Sequence, residues 1–240
     1  MFSAVLFDLD DTLLGNDMGV FLPAYFARLG DFATPRIERN RFRDALVLST
    51  RAMIECGDPT QSNSDVFWQH FAPASGMARE EAEAFFDRFY RDEFPHLEGL
   101  TQPRAEARDL VALCADRGWP LVIATNPVFP RIAIEERLRW AGIPVTEWSY
   151  ALVTSYENMH STKPRPSYYR EIAERLLAEP ATMLMVGNDP RQDTMPARRA
   201  GMQTFTVLEG EAAGPADPSG GVAGLRSGTL GDLLAWLSSL

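Results

Sequence analysis

The chain has 240 residues, a hydrophobic fraction of 45% and a formal net charge of −10. These values suit one large α/β domain, or a core domain with a smaller companion, and they argue against nucleic acid as a partner. The N-terminus lacks a basic segment, and no apolar run approaches the roughly 20 residues that span a bilayer. We therefore expect a cytoplasmic protein with no membrane partner.

A short apolar run opens the chain and ends in acidic residues. Residues 4–7 read Ala-Val-Leu-Phe, which favours a buried strand, and Asp8, Asp10 and Asp11 follow it. Carboxylates are rarely tolerated at such a place unless they are paired or bound to a metal. Open α/β folds also bind their ligands at the C-terminal edge of the sheet. This strand end is therefore a candidate site, and the alternative is an exposed acidic turn.

The next eighty or so residues have helical periodicity. Phe21, Tyr25, Phe26 and Leu29 illustrate the spacing, which predicts four or so amphipathic helices and no strand. An insertion directly after the first strand emerges over the C-terminal edge of the sheet, where it can act as a lid. We therefore predict an inserted helical domain of residues 16–97 and a core of residues 1–15 and 98–240.

From Thr101 onward, helical and strand patterns alternate. The predicted strands cover residues 121–125, 151–154, 182–186 and 204–208, and the predicted helices cover residues 103–117, 129–141, 166–178 and 197–200. This alternation indicates an α/β fold with a doubly wound, Rossmann-like parallel sheet. Residues 209–228 are rich in Gly, Ala, Pro and Asp and are predicted to form a loop. Thr229 then caps a final helix.

The spacing of the first two aspartates suggests a chemistry. Asp8 and Asp10 are two residues apart, so their side chains point to the same face of an extended strand. One carboxylate can attack a phosphorus centre while the other passes a proton to the leaving oxygen. Their mutual repulsion calls for a cation, and oxygen ligands suit Mg²⁺. A calcium loop beginning at Asp8 does not fit, because Leu13 and Gly19 occupy positions that require other residues.

Two further features end at the same edge. Thr125 ends the strand at residues 121–125 and Asn126 follows it, and the hydroxyl and N–H groups of such a turn can bind phosphate oxygens. Lys163 is the one lysine among 23 Lys and Arg residues. A lysine kept in a chain that otherwise uses arginine indicates a position for a compact point charge between a nucleophilic carboxylate and a phosphate.

A fourth feature follows the strand at residues 182–186. Residues 187–193 read Gly-Asn-Asp-Pro-Arg-Gln-Asp, so Asp189 and Asp193 bring two more carboxylates to this edge. Their natural role is to complete a Mg²⁺ shell and to hold Lys163 in place. For Asp193, a role as a helix N-cap is the alternative.

These four features, in this order and over essentially the whole chain, resemble the four motifs of the haloacid dehalogenase (HAD) superfamily of aspartyl-phosphate phosphohydrolases. The resemblance implies that Asp8 is the nucleophile and Asp10 the general acid and base. Thr125, Asn126 and Lys163 would bind the phosphoryl group, and Lys163 would also stabilise the nucleophile. The helical insertion resembles the α-helical cap found between the first and second motifs of that family.

The resemblance also implies a Mg²⁺ site. Asp8 and the backbone carbonyl of Asp10 would hold the metal together with Asp189, and Asp193 would support that shell. The family often has an aspartate where this chain has Asn188, so Asn188 is an alternative for the third position. The spacing to the following helix favours Asp189.

The function implied is Mg²⁺-dependent hydrolysis of small-molecule phosphate monoesters. Asp10 argues against dehalogenation, because the dehalogenases of the superfamily lack this second aspartate. Phosphonatases need an additional lysine, which is absent from a chain whose one lysine is Lys163. Two alternatives remain. One is a sugar phosphomutase, with Arg51 or another cap arginine holding a second phosphate, and the other is a non-catalytic binding or regulatory protein.

The residues expected to set specificity are Asp17, Phe21, Tyr25 and Arg51. The sequence carries no signal for the oligomeric state.

Overall fold

A parallel sheet forms the centre of the molecule. The computed structural model describes residues 1–208 and 226–240. Its strands are β1 (Ala4–Phe7), β2 (Leu14–Gly15), β3 (Gln102–Pro103), β4 (Leu121–Ile123), β5 (Leu152–Val153), β6 (Met183–Gly187), β7 (Gln203–Val207) and β8 (Arg226–Gly228). Six of these strands are parallel, in the order β5-β4-β1-β6-β7-β8. This order places β1 in the interior of the sheet and confirms the predicted doubly wound α/β fold.

Helices connect and cover these strands. They are α1 (Met18–Ala33), α2 (Arg39–Glu55), α3 (Asn63–Ser75), α4 (Arg79–Asp92), α5 (Ala105–Asp116), α6 (Arg131–Trp140), α7 (Pro166–Arg175), α8 (Met195–Arg199) and α9 (Leu230–Ser238). A 3₁₀ helix covers Phe94–Leu100. The first four helices form the insertion between β1 and the rest of the sheet. The prediction of four amphipathic helices without a strand among them is confirmed.

Local sequence signals fix several helix ends. The Ser62 side chain accepts a hydrogen bond from Asp65 N, which caps the start of α3. Gly76 ends the same helix with φ 80°, a conformation that glycine adopts without strain. At α9, Thr229 and Asp232 form a reciprocal capping box.

Two short strands differ from the sequence prediction. The sequence pattern predicts a helix from Pro103, but this residue pairs with Leu14 in the antiparallel β2–β3 ladder, and α5 begins at Ala105. The composition predicts a loop that includes Arg226–Gly228, but this segment forms β8 and pairs with β7. Strands of two or three residues are too short to show an alternating pattern, which explains both errors. The rest of that predicted loop, residues 209–225, lies outside the described residues.

Successive residues of β1 pack into separate cores on the two faces of the sheet. Val5 and Phe7 belong to the larger core, which continues into the helical insertion, whereas Leu6 belongs to a smaller core beneath α7.

Both cysteines are free, with Cys114 buried and Cys56 partly exposed. In the described part of the chain, no helix has both the length and the apolar character needed to cross a membrane.

The insertion contacts the loops that follow β4 and β5. Asn63, at the start of α3, donates from its backbone N to Met159 O at 2.8 Å and from Nδ2 to Pro127 O at 3.1 Å. The rings of Tyr25 and Phe129 lie 5.3 Å apart between centroids. The insertion therefore packs over the C-terminal edge of the sheet. The domain boundaries at residues 16 and 97 stay a prediction.

Candidate functional site

The strand register brings the predicted motifs together. Asp8 directly follows β1, and its backbone N donates to Val186 O of β6 at 2.9 Å. On the other side, Ala124 N donates to Phe7 O at 2.7 Å. Because β1 lies between β4 and β6, the residues that follow all three strands meet at one edge. Thr125 and the segment after residue 187 therefore flank Asp8.

Lys163 joins two buried carboxylates. Its Nζ lies 2.7 Å from Asp8 Oδ1 and 2.5 Å from Asp193 Oδ1. Lys163 is 4% exposed, Asp8 is 8% exposed and Asp193 is 1% exposed, so this cluster is screened from bulk water. Two carboxyl groups share one ammonium group, so the cluster carries net negative charge when both carboxyl groups are ionised.

Burial and mutual charge perturb both partners. Burial raises the pKa of the Asp8 carboxyl to about 7, although the neighbouring Lys163 ammonium acts to lower it. Burial would lower the pKa of Lys163, but the carboxylates of Asp193 and Asp8 raise it well above its usual range. The lysine therefore stays cationic, as a group that stabilises negative charge must.

Thr12 connects Asp8 to the segment after β6. Its hydroxyl lies 3.1 Å from Asp8 Oδ2 and 3.3 Å from Asn188 Oδ1, and it accepts a hydrogen bond from Asn188 N at 3.1 Å. Thr12 is fully buried. No role was predicted for it, although it directly follows the acidic run. The contacts place the Asn188 amide oxygen beside the threonine that contacts Asp8.

The segment after β6 is a single π-helical turn, Pro190–Thr194. Asp189 caps this turn, because its Oδ1 accepts from Arg191 N at 2.7 Å and Gln192 N at 3.2 Å. Asp193 Oδ2 in turn accepts from Asp189 N at 3.1 Å. The N-cap role considered for Asp193 thus belongs to Asp189 in this structure. A Cβ atom at Gly187 would overlap the Asp193 carboxyl, so glycine is required for this close approach.

Asp10 is held by two side chains that the sequence did not reveal. Arg137 Nη1 forms an ion pair with Asp10 Oδ2, and Asn16 Nδ2 donates to Asp10 Oδ1 at 2.7 Å. Arg137 and Asn16 are 0% and 1% exposed. One signal for Arg137 was present: it lies on the apolar stripe of its helix, among Ala133 and Leu138.

Asp11 shapes the loop between the two motif aspartates and α1. It has φ 56°, and its Oδ1 accepts from Asn16 N at 2.8 Å. Burial raises the pKa of its carboxyl. These contacts are local to the turn and do not reach Lys163.

Hydrogen bonds also fix the loop after β4. The carbonyl of Thr125 accepts from Thr154 Oγ1 and from Tyr168 Oη, both at 2.8 Å. Asn126 Oδ1 accepts from Lys163 N at 3.2 Å, which ties this loop to the lysine loop. Thr125 is 3% exposed. The structure therefore assembles Thr125, Asn126 and Lys163 around one edge.

The four residues expected to set specificity have different surroundings. Phe21 and Tyr25 are buried in the aromatic core, and Tyr25 Oη lies 2.8 Å from Tyr90 Oη. Asp17 caps α1 by accepting from Gly19 N. The Arg51 side chain is 72% exposed and pairs with Glu55. Of the four, Tyr25 also borders a cavity of about 270 Å³ between the insertion and residues 128–130.

The cluster offers oxygen ligands of the kind that Mg²⁺ prefers. Among the described residues, no three His, Cys, Asp or Glu side chains are spaced to enclose a metal. Mg²⁺ needs fewer, since it usually keeps several waters and binds through one or two carboxylates. The oxygen atoms of this kind near the strand ends include the Asp8 carboxylate, which accepts from Lys163 and Thr12, and the side-chain oxygens of Asn188 and Asp189. When Asp8 and Asp193 are both ionised, the net negative charge around Lys163 fits a divalent cation.

Comparison with known proteins identifies relatives over most of the chain. The family model described as haloacid dehalogenase-like hydrolase matches residues 2–201. A protein named phosphoglycolate phosphatase, from Neisseria gonorrhoeae, is 28% identical over 86% of this chain and 80% of its own length. A protein named N-acetylmuramic acid 6-phosphate phosphatase, from Pseudomonas putida, is 26% identical over 86% of this chain and 83% of its own length.

Solved structures share the fold. The structure titled 2-haloacid dehalogenase from Pseudomonas syringae superposes with a TM-score of 0.64 at 21% identity, and the match covers 100% of this chain and 99% of that one. At this identity the likeness concerns the architecture alone.

Proposed function

The chain belongs to the haloacid dehalogenase-like hydrolase family, and from this we propose that it is a Mg²⁺-dependent hydrolase of small-molecule phosphate monoesters that transfers the phosphoryl group to Asp8. The observation that carries the proposal is the buried cluster in which Lys163 Nζ reaches both Asp8 and Asp193. A cation held against a carboxylate, with a second carboxyl group two residues along the chain, suits attack on phosphorus and protonation of the leaving group.

Two carboxyl groups divide the work in this proposal. A carboxylate oxygen of Asp8 attacks phosphorus, the ester P–O bond breaks, and Asp10 gives its proton to the leaving alcohol oxygen. Asp10 then takes a proton from water, which attacks phosphorus and releases phosphate from Asp8. The presence of Asp10 beside Asp8 also favours phosphate chemistry over dehalogenation.

Positive charge and hydrogen-bond donors would bind the phosphoryl group. Lys163 lies against Asp8, and its raised pKa keeps it cationic, so it can balance the charge of the incoming phosphate. Thr125 and Asn126 follow the neighbouring strand and offer hydroxyl, amide and backbone N–H groups. Because these loops are held by buried hydrogen bonds, the donors are arranged before substrate binds.

A Mg²⁺ ion would be held by the Asp8 carboxylate, the carbonyl of Asp10 and one side-chain oxygen from the segment after β6. When bound, it would neutralise charge on the phosphoryl oxygens. Asp189, the predicted third ligand, uses one carboxylate oxygen to cap a turn, which leaves the other for a ligand role. Asn188 has its oxygen beside Thr12. Asp193 would support the shell through Asp189 N.

The insertion of residues 16–97 would act as a cap that closes over the phosphate site and excludes water. Its contacts with the loops after β4 and β5 support this role.

The relatives named for phosphoglycolate and N-acetylmuramic acid 6-phosphate support a small phosphate ester as substrate. For the phosphomutase alternative, Arg51 gives no support, because its side chain is largely exposed and pairs with Glu55.

Phosphate release from a panel of sugar phosphates, short carboxylate phosphates and p-nitrophenyl phosphate tests the proposal. We expect turnover with Mg²⁺, a loss of at least about a hundredfold after treatment with EDTA, and recovery when Mg²⁺ is restored. Circular dichroism before and after chelation serves as a control for unfolding. Undiminished turnover in EDTA would contradict the metal role, and an inert protein across the panel would favour the non-catalytic alternative.

A further inference from the structure

A buried arginine in α6 lies behind the predicted proton donor. Arg137 is 0% exposed and forms an ion pair with Asp10 through Nη1. Its Nε lies 3.3 Å from Ala133 O, and its guanidinium carbon lies 4.6 Å from the centroid of the Phe129 ring. Removing a guanidinium from water is costly, and a buried ion pair often contributes little net stability. This burial therefore calls for a role other than stability.

The contacts of Arg137 are poorly suited to a purely structural role. Its Nη2 is buried and has no hydrogen-bond partner among the described residues. A buried unpartnered N–H group typically costs about 1–3 kcal/mol. The ion pair with Asp10 is the charged contact that accompanies the burial of this guanidinium.

Asp10 is held from both sides. Arg137 forms its ion pair with Oδ2, and Asn16 Nδ2 donates to Oδ1 at 2.7 Å. Asn16 is 1% exposed. With a donor on each oxygen, the plane of the carboxyl group and its side-chain torsions are fixed. The Asp10 side chain remains 15% exposed, so it keeps access to the space above the strand end.

We propose that Arg137 is a positioning residue for proton transfer: together with Asn16 it orients the Asp10 carboxyl group toward the leaving oxygen of the substrate. This inference rests on the proposed function, since it assigns a role within the same reaction. Arg137 acts through Asp10 and, on its observed contacts, touches neither Asp8 nor Lys163. Loss of Arg137 should therefore impair protonation of the leaving group and leave attack by Asp8 largely unaffected.

Leaving groups of different basicity separate these two effects. An alkoxide must be protonated as it departs, whereas p-nitrophenolate leaves without a proton. The readout is the rate of alcohol or nitrophenolate release in the first turnover, because later turnovers also include hydrolysis of the phosphorylated enzyme, in which Asp10 is the base. General acid catalysis contributes about 10²–10⁴-fold, so partial misplacement of the acid should cost about 10–100-fold.

The experiment compares wild type, Arg137→Met and Arg137→Lys with an alkyl phosphate and with p-nitrophenyl phosphate, both with Mg²⁺. We expect Arg137→Met to slow first-turnover release from the alkyl phosphate by about 10–100-fold and from the aryl phosphate by less than about threefold. Arg137→Lys should recover part of the alkyl rate. The control is Arg139→Met, which removes a half-exposed arginine of the same helix and should change neither rate.

Equal slowing of both substrates would show a merely structural role for Arg137, and unchanged rates for both substrates would also overturn the inference. Asn16→Ala removes the second hydrogen-bond donor to Asp10 and should give the same selective loss of alkyl phosphate turnover. This variant provides the test if Arg137→Met does not fold. Failure of the proposed function has a different signature, because wild type would then release phosphate from neither ester.

Discussion

Replacing Asp8 by Asn is expected to reduce phosphate-ester turnover by more than about a thousandfold, the scale of effect seen when a nucleophile is removed. The amide keeps the shape of the carboxyl group but is too weak a nucleophile to attack phosphorus. Folding should be unaffected or slightly improved, because Asp8 shares Lys163 with Asp193 and burial of its charge is unfavourable. Steady-state kcat and the melting temperature together measure both effects.

Asp11→Asn is the matched control for that substitution. Asp11 lies three residues from Asp8 and is also partly buried, but its Oδ1 accepts from Asn16 N within the turn. Asparagine also tolerates the left-handed conformation found at this position. The control should keep kcat within about threefold of wild type. Near-normal turnover in Asp8→Asn would exclude Asp8 as the nucleophile.

Replacing Lys163 by Met is expected to impair both activity and stability. Removing the ammonium leaves the buried carboxylates of Asp8 and Asp193 without their shared cation. Breaking a buried ion pair in this way typically costs about 3–5 kcal/mol. Because the same charge would face the phosphate, we expect kcat to fall by at least about a hundredfold. Urea unfolding and kinetics with a phosphate ester measure the two losses.

Lys163→Arg separates the charge from the shape of the side chain. Its planar guanidinium keeps the positive charge but does not fit a space built for a compact ammonium between two oxygens. We expect it to recover part of the stability and little of the activity. Arg170→Met, on the exposed side of α7, is the control and should change neither. Wild-type turnover in Lys163→Met would contradict the role assigned to this lysine.

The sequence was sufficient to predict the sheet and the positions of the motifs along it. Apolar runs that end in polar residues marked the ends of β1, β4 and β6, and parallel order then requires those ends to meet. The same reasoning missed β8, because three residues carry no readable periodicity. It also missed the pairing of β2 with β3, which brings together segments nearly ninety residues apart in sequence.

Contacts around Asp10 depended on tertiary structure. Arg137 is 127 residues from Asp10 in sequence, and Asn16 lies in an irregular turn, so no local pattern links either residue to the carboxyl group. A cation on the apolar stripe of α6 was the available signal. Spacing to the following helix favoured Asp189 over Asn188 as a metal ligand, but the directions of these two adjacent side chains, which precede the π-helical turn, do not follow from residue counts.

Formation of a covalent phosphoryl group on Asp8 is the central claim. It is tested most directly by acid-quenching Asp10→Asn protein after mixing with Mg²⁺ and p-nitrophenyl phosphate, then measuring peptide masses. This ester needs no proton to leave, and the variant lacks the base for the second step, so the intermediate should accumulate. We expect close to one phosphoryl group per chain on the peptide that contains Asp8, and none in Asp8→Asn. Release of nitrophenolate without any phosphorylated peptide, or with the phosphoryl group on another residue, would contradict the mechanism.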